Sequence, residues 1–325
     1  MSDFGFAAAH DVPIPYLQRI ATYYQALGYG APYEWARYAE VPFQRLPKPL
    51  AQCRIALITT AAPFQPGRGD QGPGAPYNAA AKFFSVYSGS SAGDSAGEPD
   101  LRISHVAIDR EHTTAADPGS YFPLAALRDQ ARRGRIGAVA ARFHGAPTNR
   151  SHRITLEVDA PEMLRRCLQD QADAAVLVPN CPVCHQTVSL TARLLEAHGI
   201  ATVVMGCAKD IVEQVGVARL LFSDFPLGNA AGRPHDVASQ SLTLDLALGL
   251  LESATGPRTT QQSPLRWSDN PDWKLDYANV ERLSAEQVAQ RRAEFDRGKA
   301  VARDLRAVTP GRVVAAVTPA PSGPQ

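Results

Sequence analysis

Short apolar runs alternate with helix-like segments through most of residues 53–252. The predicted strands are residues 53–60, 101–108, 136–141, 173–178, 201–206 and 218–223. The predicted helices between or after them are residues 123–133, 161–171, 187–198, 209–215 and 236–252. This alternation is typical of a parallel sheet covered by helices on both faces. The sequence therefore predicts an α/β fold, doubly wound around a mostly parallel sheet, and two flavodoxin-like halves that meet near Cys181 are one arrangement that fits it.

The composition divides the chain into four parts. They are a helical N-terminal segment at residues 1–50, an α/β catalytic region at 51–255, an irregular and helical segment at 256–308, and a flexible tail at 309–325. Within the catalytic region, residues 66–100 are rich in Gly, Ser, Pro and Ala. Such a segment is too long for a plain connection, so we expect it to be either mobile or a lid over a site.

The charge of the chain is balanced, with 33 Lys and Arg against 32 Asp and Glu. This balance gives no general field for nucleic acid or an anionic membrane, so neither is an expected partner. The start of the sequence lacks a basic segment followed by an apolar one, which favours the cytoplasm. We expect a homo-oligomer that acts on a small molecule.

Five cysteines, an odd number without a secretory leader, predict reduced thiols rather than a disulfide framework. Cys53 and Cys167 are expected to be buried apolar residues. Cys181 and Cys184 lie in the loop Asn180-Cys181-Pro182-Val183-Cys184-His185, directly after a predicted strand. Ligands of parallel sheets bind beyond the carboxyl ends of the strands. The unpaired N–H groups at the start of the next helix would stabilise a Cys181 thiolate, and His185 would serve as an acid or base.

A metal site is the alternative for the same cysteines. One C-x-x-C pair is half of a zinc site, and Cys207, at the end of the next strand, could approach Cys181. Histidines follow other predicted strands, and His105, Asp109, His112 and Cys181 form the candidate zinc set. Nucleophilic or redox catalysis, a zinc site and an inert pair all stay open at this point.

Further polar residues lie where strands are expected to end. His144 is a candidate acid or base that would converge with His105 on the cysteines, and Asn229 lies in a turn that would form part of a site. His10, His198 and His235 are expected to be structural.

The cysteine loop and its surroundings resemble a known family. Val178 to Gln186, with Gly199 to Val203 after the next helix, is similar to the B-subunit family of the glycine, sarcosine, betaine and D-proline reductases. Supporting matches are Ser104-His105 with Asp109, Phe122-Pro123 with Leu127, Gly134 to Gly137, and Pro226 to Asn229. The resemblance covers roughly residues 54–251.

The resemblance implies a division of labour between the two cysteines. The first position of the pair, often selenocysteine in that family, attacks the substrate, and the second resolves the adduct; here these positions are Cys181 and Cys184. Those reductases also need a pyruvoyl-bearing partner subunit and an electron supply. The segment 142–153 departs from the family pattern.

Cys181 in place of selenocysteine, together with the different segment 142–153, favours a stand-alone branch of the family. The preferred function is a desulfhydrase that releases hydrogen sulfide from 3-(5-oxo-2-thioxoimidazolidin-4-yl)propionate in ergothioneine breakdown. Cys181, Cys184, His185, His105 and His144 would be catalytic, and Arg142, Arg150 or Arg153 would hold the carboxylate. The alternative is a cysteine-containing D-proline or glycine reductase subunit that uses a dithiol donor.

Overall fold

The computed structural model describes residues 7–29, 33–92, 97–103 and 105–308. The predicted tail at residues 309–325 lies outside the described residues. Among the described residues, no helix combines the length and the apolar character needed to cross a bilayer.

A single eight-stranded sheet organises the described part of the chain. Its strands are β1 (Arg54–Thr59), β3 (Tyr87–Ser90), β5 (Ala138–Val139), β6 (Arg142–Gly145), β7 (Ala174–Val178), β8 (Ala201–Gly206), β9 (Arg219–Phe222) and β10 (Thr259–Gln262). Their order is β10-β9-β8-β7-β1-β6-β3, and β5 pairs with β1 beside β6. Only β3 runs antiparallel to its neighbour. A separate two-stranded sheet joins β2 (Ala62–Pro63) and β4 (Leu101–Arg102).

Helices cover both faces of this sheet. They are α1 (Tyr16–Ala26), α2 (Leu124–Arg132), α3 (His152–Ile154), α4 (Ala160–Gln169), α5 (Pro182–Ala197), α6 (Lys209–Val215), α7 (Val237–Ser253) and α8 (Ala285–Val308). The π-helical turn Thr155–Asp159 joins α3 to α4. Buried side chains of α4 and α5 pack on one face of the strands, and those of α2 and α7 pack on the other.

These observations confirm the predicted α/β fold with a mostly parallel sheet. The five strands from β1 through β7, β8 and β9 to β10 all pair in parallel in one continuous sheet, so a division into two flavodoxin-like halves is not seen in the described residues. The all-buried character of β7 and β8 explains why their runs are so apolar in the sequence.

Several strands differ from the prediction. Among the described residues of the expected strand at 101–108, only β4 forms, and it pairs with β2 outside the main sheet. The expected strand at 136–141 is the short β5, and the chain re-enters the sheet as β6. The Gly- and Ser-rich segment contributes β3, and β10 extends the sheet past the predicted boundary at residue 255. Short and polar edge strands such as β3 and β10 lack the apolar pattern that marks a buried strand.

The N-terminal segment packs directly on the α/β region. Tyr16 and Ile20 of α1 join the main core, and the backbone N–H of Leu17 donates to Asp210 at the start of α6. At the other end, Ser284 and Gln287 form a capping box at the start of α8, each accepting the other's backbone N–H.

Candidate functional site

The cysteine loop lies where the winding of the sheet reverses. From β1 the chain moves to β6 on one side, and it then crosses back to β7 on the other side of β1. Beyond the carboxyl ends of these strands, the backbone N–H of Asn180 donates to Thr60 Oγ1, which follows β1 (3.0 Å). Such a reversal leaves a crevice between neighbouring strands that is the usual ligand site of doubly wound sheets.

Cys181 caps the N-terminus of α5. Its backbone is extended, Pro182 takes the first helical position, and its sulfur accepts the backbone N–H of Cys184 at 3.3 Å. Pro182 fits here because its missing N–H has no partner at this position in a helix. The sequence prediction that the cysteine pair begins a helix is confirmed.

The two sulfurs form one coupled unit. They lie 2.7 Å apart, and Thr148 Oγ1 lies 3.2 Å from Cys184 Sγ. Burial and the neighbouring Cys184 raise the pKa of Cys181. Burial also opposes ionisation of Cys184, but the Cys181 thiol, a positive charge on His105 and the Thr148 hydroxyl together lower its pKa. The contact thus raises the pKa of Cys181 and lowers that of Cys184, whereas the sequence predicts a lowered pKa at Cys181.

His105 completes a three-residue group with the cysteines. A ring nitrogen of His105 and the sulfurs of Cys181 and Cys184 all lie within 4.8 Å of one another. The Nδ1 atom of His105 is buried and has no hydrogen-bond partner among the described residues. Arg110 fixes the loop, since its guanidinium donates to the carbonyls of His105 (2.6 Å) and Ala75 (3.0 Å). We call His105, Cys181 and Cys184 the thiol–histidine group.

Asn180 is fully buried next to this group. Within the described residues, neither its amide nitrogen nor its amide oxygen has a hydrogen-bond partner. Buried polar groups are nearly always paired, so an unpaired one indicates water or a ligand. No sequence pattern distinguishes Asn180 from the rest of the cysteine loop.

Tyrosines from both ends of the chain lie near the group. Burial raises the pKa of Tyr24, Tyr33 and Tyr277, the nearby Cys181 adds to the rise, and Arg150 opposes it at Tyr24 and Tyr33. Arg150 lies over the rings of Tyr24 (5.9 Å) and Tyr33 (5.6 Å). Arg150 has a left-handed backbone, with φ of +55°, which is uncommon outside glycine. Arg150 is an exposed residue, and its guanidinium has the two tyrosine rings as an aromatic platform.

His185 has a structural role in this geometry. Its Nδ1 lies 2.8 Å from the carbonyl of Cys181, while Nε2 accepts the backbone N–H groups of Cys207 (2.9 Å) and Ala208 (3.1 Å). Nδ1 must therefore carry the proton, and burial lowers the pKa of His185 to about 4. With both nitrogens occupied and the ring neutral, the contacts argue against the predicted proton transfer by His185.

His144 is placed away from the thiol–histidine group. The predicted strand ends at residue 141, which would put His144 in a loop, but β6 begins at Arg142. His144 therefore lies inside a strand, paired with Ile58 of β1 and Ser88 of β3. Its Nδ1 lies 2.8 Å from Ser88 Oγ and its Nε2 3.3 Å from an oxygen of Asp170. Burial lowers the pKa of His144 to about 4. These contacts give no support to the predicted catalytic role.

The four predicted zinc ligands do not come together at one place. Nδ1 of His112 pairs with Asp109 at 3.0 Å and Nε2 with Asp276 at 3.1 Å, so His112 joins two carboxylates instead of facing the cysteines. Only His105 and Cys181 of that set come together, and Cys184 joins them. Cys207 lies under the turn after β9, with its sulfur 3.9 Å from the carbonyl of Pro226.

The remaining predicted substrate contacts already have protein partners. Arg142 pairs with Asp170 at 2.8 Å, and Arg153 pairs with Glu157 at 3.3 Å on an open surface. Asn229 is buried in its turn, where it accepts from Thr113 (3.2 Å) and donates to the carbonyl of Pro226 (3.1 Å). Of the three arginines, only Arg150 lies beside the tyrosines of the site.

The comparisons with known proteins give one distant relative. Over 144 residues the chain is 27% identical to D-proline reductase subunit gamma of Acetoanaerobium sticklandii. The matched part covers 43% of this chain and 58% of that subunit, so it spans little more than half of the relative. No protein-family model and no solved structure matches. The similarity indicates a distant relationship to a reductase subunit.

Proposed function

We propose that the chain is the thiol-bearing component of an enzyme that reductively cleaves a carbon–heteroatom bond in a small carboxylate substrate. The observation that carries the proposal is the contact of the two sulfurs, 2.7 Å apart, at the start of α5. A thiolate beside a second thiol can act as nucleophile and then be released by its neighbour. The distant similarity to D-proline reductase subunit gamma supports the same chemistry.

The two cysteines would share the reaction. Cys181 is 4% exposed and Cys184 is fully buried, so Cys181 is the one that a substrate can reach. On substrate entry the shared proton moves to Cys184, and the Cys181 thiolate attacks carbon and displaces the heteroatom, which takes up a proton. Cys184 then loses its proton and attacks the Cys181 sulfur, which forms a disulfide while the released carbon is protonated. Two electrons pass from the thiols to the substrate, and a dithiol donor restores the pair.

Binding of the substrate would fall to Arg150 and Asn180. Arg150 offers a guanidinium for a carboxylate, and its stacking on Tyr24 and Tyr33 restricts its conformers before binding. The buried amide of Asn180 supplies one donor and one acceptor for the polar groups near the reacting carbon.

The relative is named as a subunit, so we further propose that turnover needs a second polypeptide. The assay for both points combines the purified chain with D-proline and dithiothreitol, with and without a pyruvoyl-bearing reductase subunit. We expect the ring-opened amino acid only when the partner is present. Turnover by the lone chain would remove the need for a partner, and no turnover with any partner or cyclic amino acid would overturn the reductase proposal.

A matched pair of arginine variants tests the substrate contact. Arg150→Ala should raise KM by about 10- to 100-fold, since a charge-assisted hydrogen bond is worth roughly 1.5–3 kcal/mol. Arg153→Ala is the control because Arg153 is 72% exposed and pairs with Glu157. Equal effects of the two substitutions would show that Arg150 is only a surface charge.

A hydrolytic desulfhydrase is the second candidate. The position of His105 within 4.8 Å of both sulfurs favours it, because an imidazole there can protonate departing sulfide. Cys181 would add to the C=S carbon, sulfide would leave with a proton from His105, and water would then release the thiolate and leave C=O. This reaction returns both cysteines reduced and needs no electron donor.

The state of the thiols separates the two candidates. With 3-(5-oxo-2-thioxoimidazolidin-4-yl)propionate and no reductant, the hydrolytic reaction predicts sulfide release over many turnovers with both cysteines still alkylatable. The reductive reaction predicts a Cys181–Cys184 disulfide after one turnover, which mass spectrometry of the tryptic peptide detects.

A further inference from the structure

We propose that the thiol–histidine group is a binding site for one zinc ion, held by a ring nitrogen of His105 and the sulfurs of Cys181 and Cys184, with a fourth coordination position open. The inference is independent of the proposed function, because it concerns binding by the protein without substrate.

The ligand atoms suit a thiophilic divalent ion. Thiolate and imidazole are the ligands that zinc prefers, and three protein ligands leave a position for water or a substrate atom. The three atoms lie within 4.8 Å of one another, which is compatible with a shared ion bonded at about 2.0–2.3 Å. The sulfurs, 2.7 Å apart, would separate to about 3.8 Å in a tetrahedral zinc site, a shift that side-chain rotation supplies.

A second observation points to a ligand at the same place. Nδ1 of His105 is buried, yet it has no partner within the described residues. Two neighbouring histidines differ in this respect: His112 binds two carboxylates, and His185 uses both nitrogens. An imidazole that lies beside two sulfurs and keeps one buried ring nitrogen without a partner can offer a nitrogen to a metal ion.

The surroundings allow the ion to be neutralised and retained. Ile103, Ile108 and Val183 pack around the two cysteines and limit water near the sulfurs. Two thiolates would neutralise the charge of Zn²⁺, and the backbone N–H of Cys184 already donates to Cys181 Sγ. Zinc would also deprotonate both thiols, which the apoprotein does not favour. Occupancy would therefore protect the sulfurs from oxidation and block their use as nucleophiles.

The test measures zinc binding by the intact protein without substrate. Apoprotein is loaded with zinc, desalted and analysed by plasma emission, and cobalt(II) is added separately for its visible spectrum. We expect one ion per chain, with a cobalt spectrum of tetrahedral sites and thiolate charge-transfer bands. His105→Ala, Cys181→Ser and Cys184→Ser should each weaken binding by at least ~100-fold, since direct ligands matter more than the outer-shell partners that cost 10- to 100-fold.

Two matched variants control for the rival ligands. His112→Gln removes a histidine of the originally predicted zinc set, and Cys207→Ala removes a nearby buried cysteine. Both should bind zinc with wild-type affinity. Wild-type protein that binds no zinc, or zinc retained by the Cys181→Ser/Cys184→Ser double variant, would overturn the site.

Alkylation of the wild-type protein makes the test independent of whether the variants fold. Zinc should slow iodoacetamide labelling of Cys181 and Cys184 but leave Cys53, Cys167 and Cys207 unchanged, as peptide mass spectrometry reports. Equal protection of all five cysteines would indicate general tightening of the fold and would contradict the site. Protein that binds no added zinc but still turns over D-proline would leave the proposed function standing while the zinc site fails.

Discussion

His105 and His112 lie seven residues apart in one loop, yet their side chains end in opposite conditions. His112 bridges the carboxylates of Asp109 and Asp276, so both of its nitrogens are satisfied within the protein. His105 faces two sulfurs and keeps a buried nitrogen without a partner in the described residues. The difference separates structure from chemistry: a closed set of hydrogen bonds holds segments together, whereas unused bonding capacity in a buried place is available to a ligand or a reacting group.

The largest effect on activity is expected at the two sulfurs of the thiol–histidine group. Cys181→Ser or Cys184→Ser should lower kcat/KM by at least ~10³-fold, as removal of a nucleophile does in other enzymes. The reductive or hydrolytic assay described above measures it. Cys167→Ala, on the buried face of α4, should keep kcat/KM within about twofold because only packing changes there. A comparable loss of kcat/KM in Cys167→Ala would show that the effect is not specific to Cys181 and Cys184.

A substitution at His185 tests whether a histidine with both nitrogens hydrogen-bonded contributes to stability. His185→Ala should lower the free energy of unfolding by about 3 kcal/mol, because it leaves the buried N–H groups of Cys207 and Ala208 unpaired and opens a cavity. Urea unfolding measures the change, and the exposed His198→Ala is the control. A variant of unchanged stability with an altered pH–rate profile would instead make His185 a proton donor.

A direct pair of substitutions compares the two histidines of the loop. His105→Gln should lower kcat by about 10²-fold, the usual contribution of a positioned acid or base, with little change in unfolding free energy. His112→Gln should leave kcat within about twofold. If His112→Gln lowers kcat as much as His105→Gln, the Asp109–His112–Asp276 cluster belongs to the active site.

The smallest effect is a pH dependence of stability that comes from the Asp109–His112–Asp276 cluster. The hydrogen bond from His112 to Asp109 raises the pKa of His112 above 6.5, although burial opposes the shift. Its contribution is therefore full below about pH 6.5, the unfolded pKa, and is lost as the pH rises through the higher folded value. We expect the free energy of unfolding of the wild type to fall by about 1 kcal/mol as the pH rises through the folded pKa of His112. Urea unfolding at a series of pH values measures the change. The slope should be smaller in His112→Gln, and an unchanged slope would assign it to another group.

Much of the frame follows from local sequence patterns. The apolar runs of β1, β7, β8 and β9, and the helix spacing of α2, α5, α7 and α8, are properties of a few neighbouring residues, so they are readable one segment at a time. The helix start at Cys181 is equally local, because a proline after an extended residue marks it. The failures share a cause: β3 and β10 become strands only through their neighbours in the sheet, and a shift of a few residues in β6 turns His144 from a loop residue into a buried one.

The sequence by itself determined the class of fold and the place of the two cysteines beyond a buried strand. Only the tertiary structure decided which polar residues reach them. It brought His105, Thr148 and Asn180 to the sulfurs or beside them, and drew Tyr24, Tyr33 and Tyr277 from both ends of the chain. It also gave His112, His144 and His185 other partners. The physical reason is that periodicity is encoded by adjacent residues, whereas the hydrogen-bond partners of a side chain depend on segments far apart in the chain.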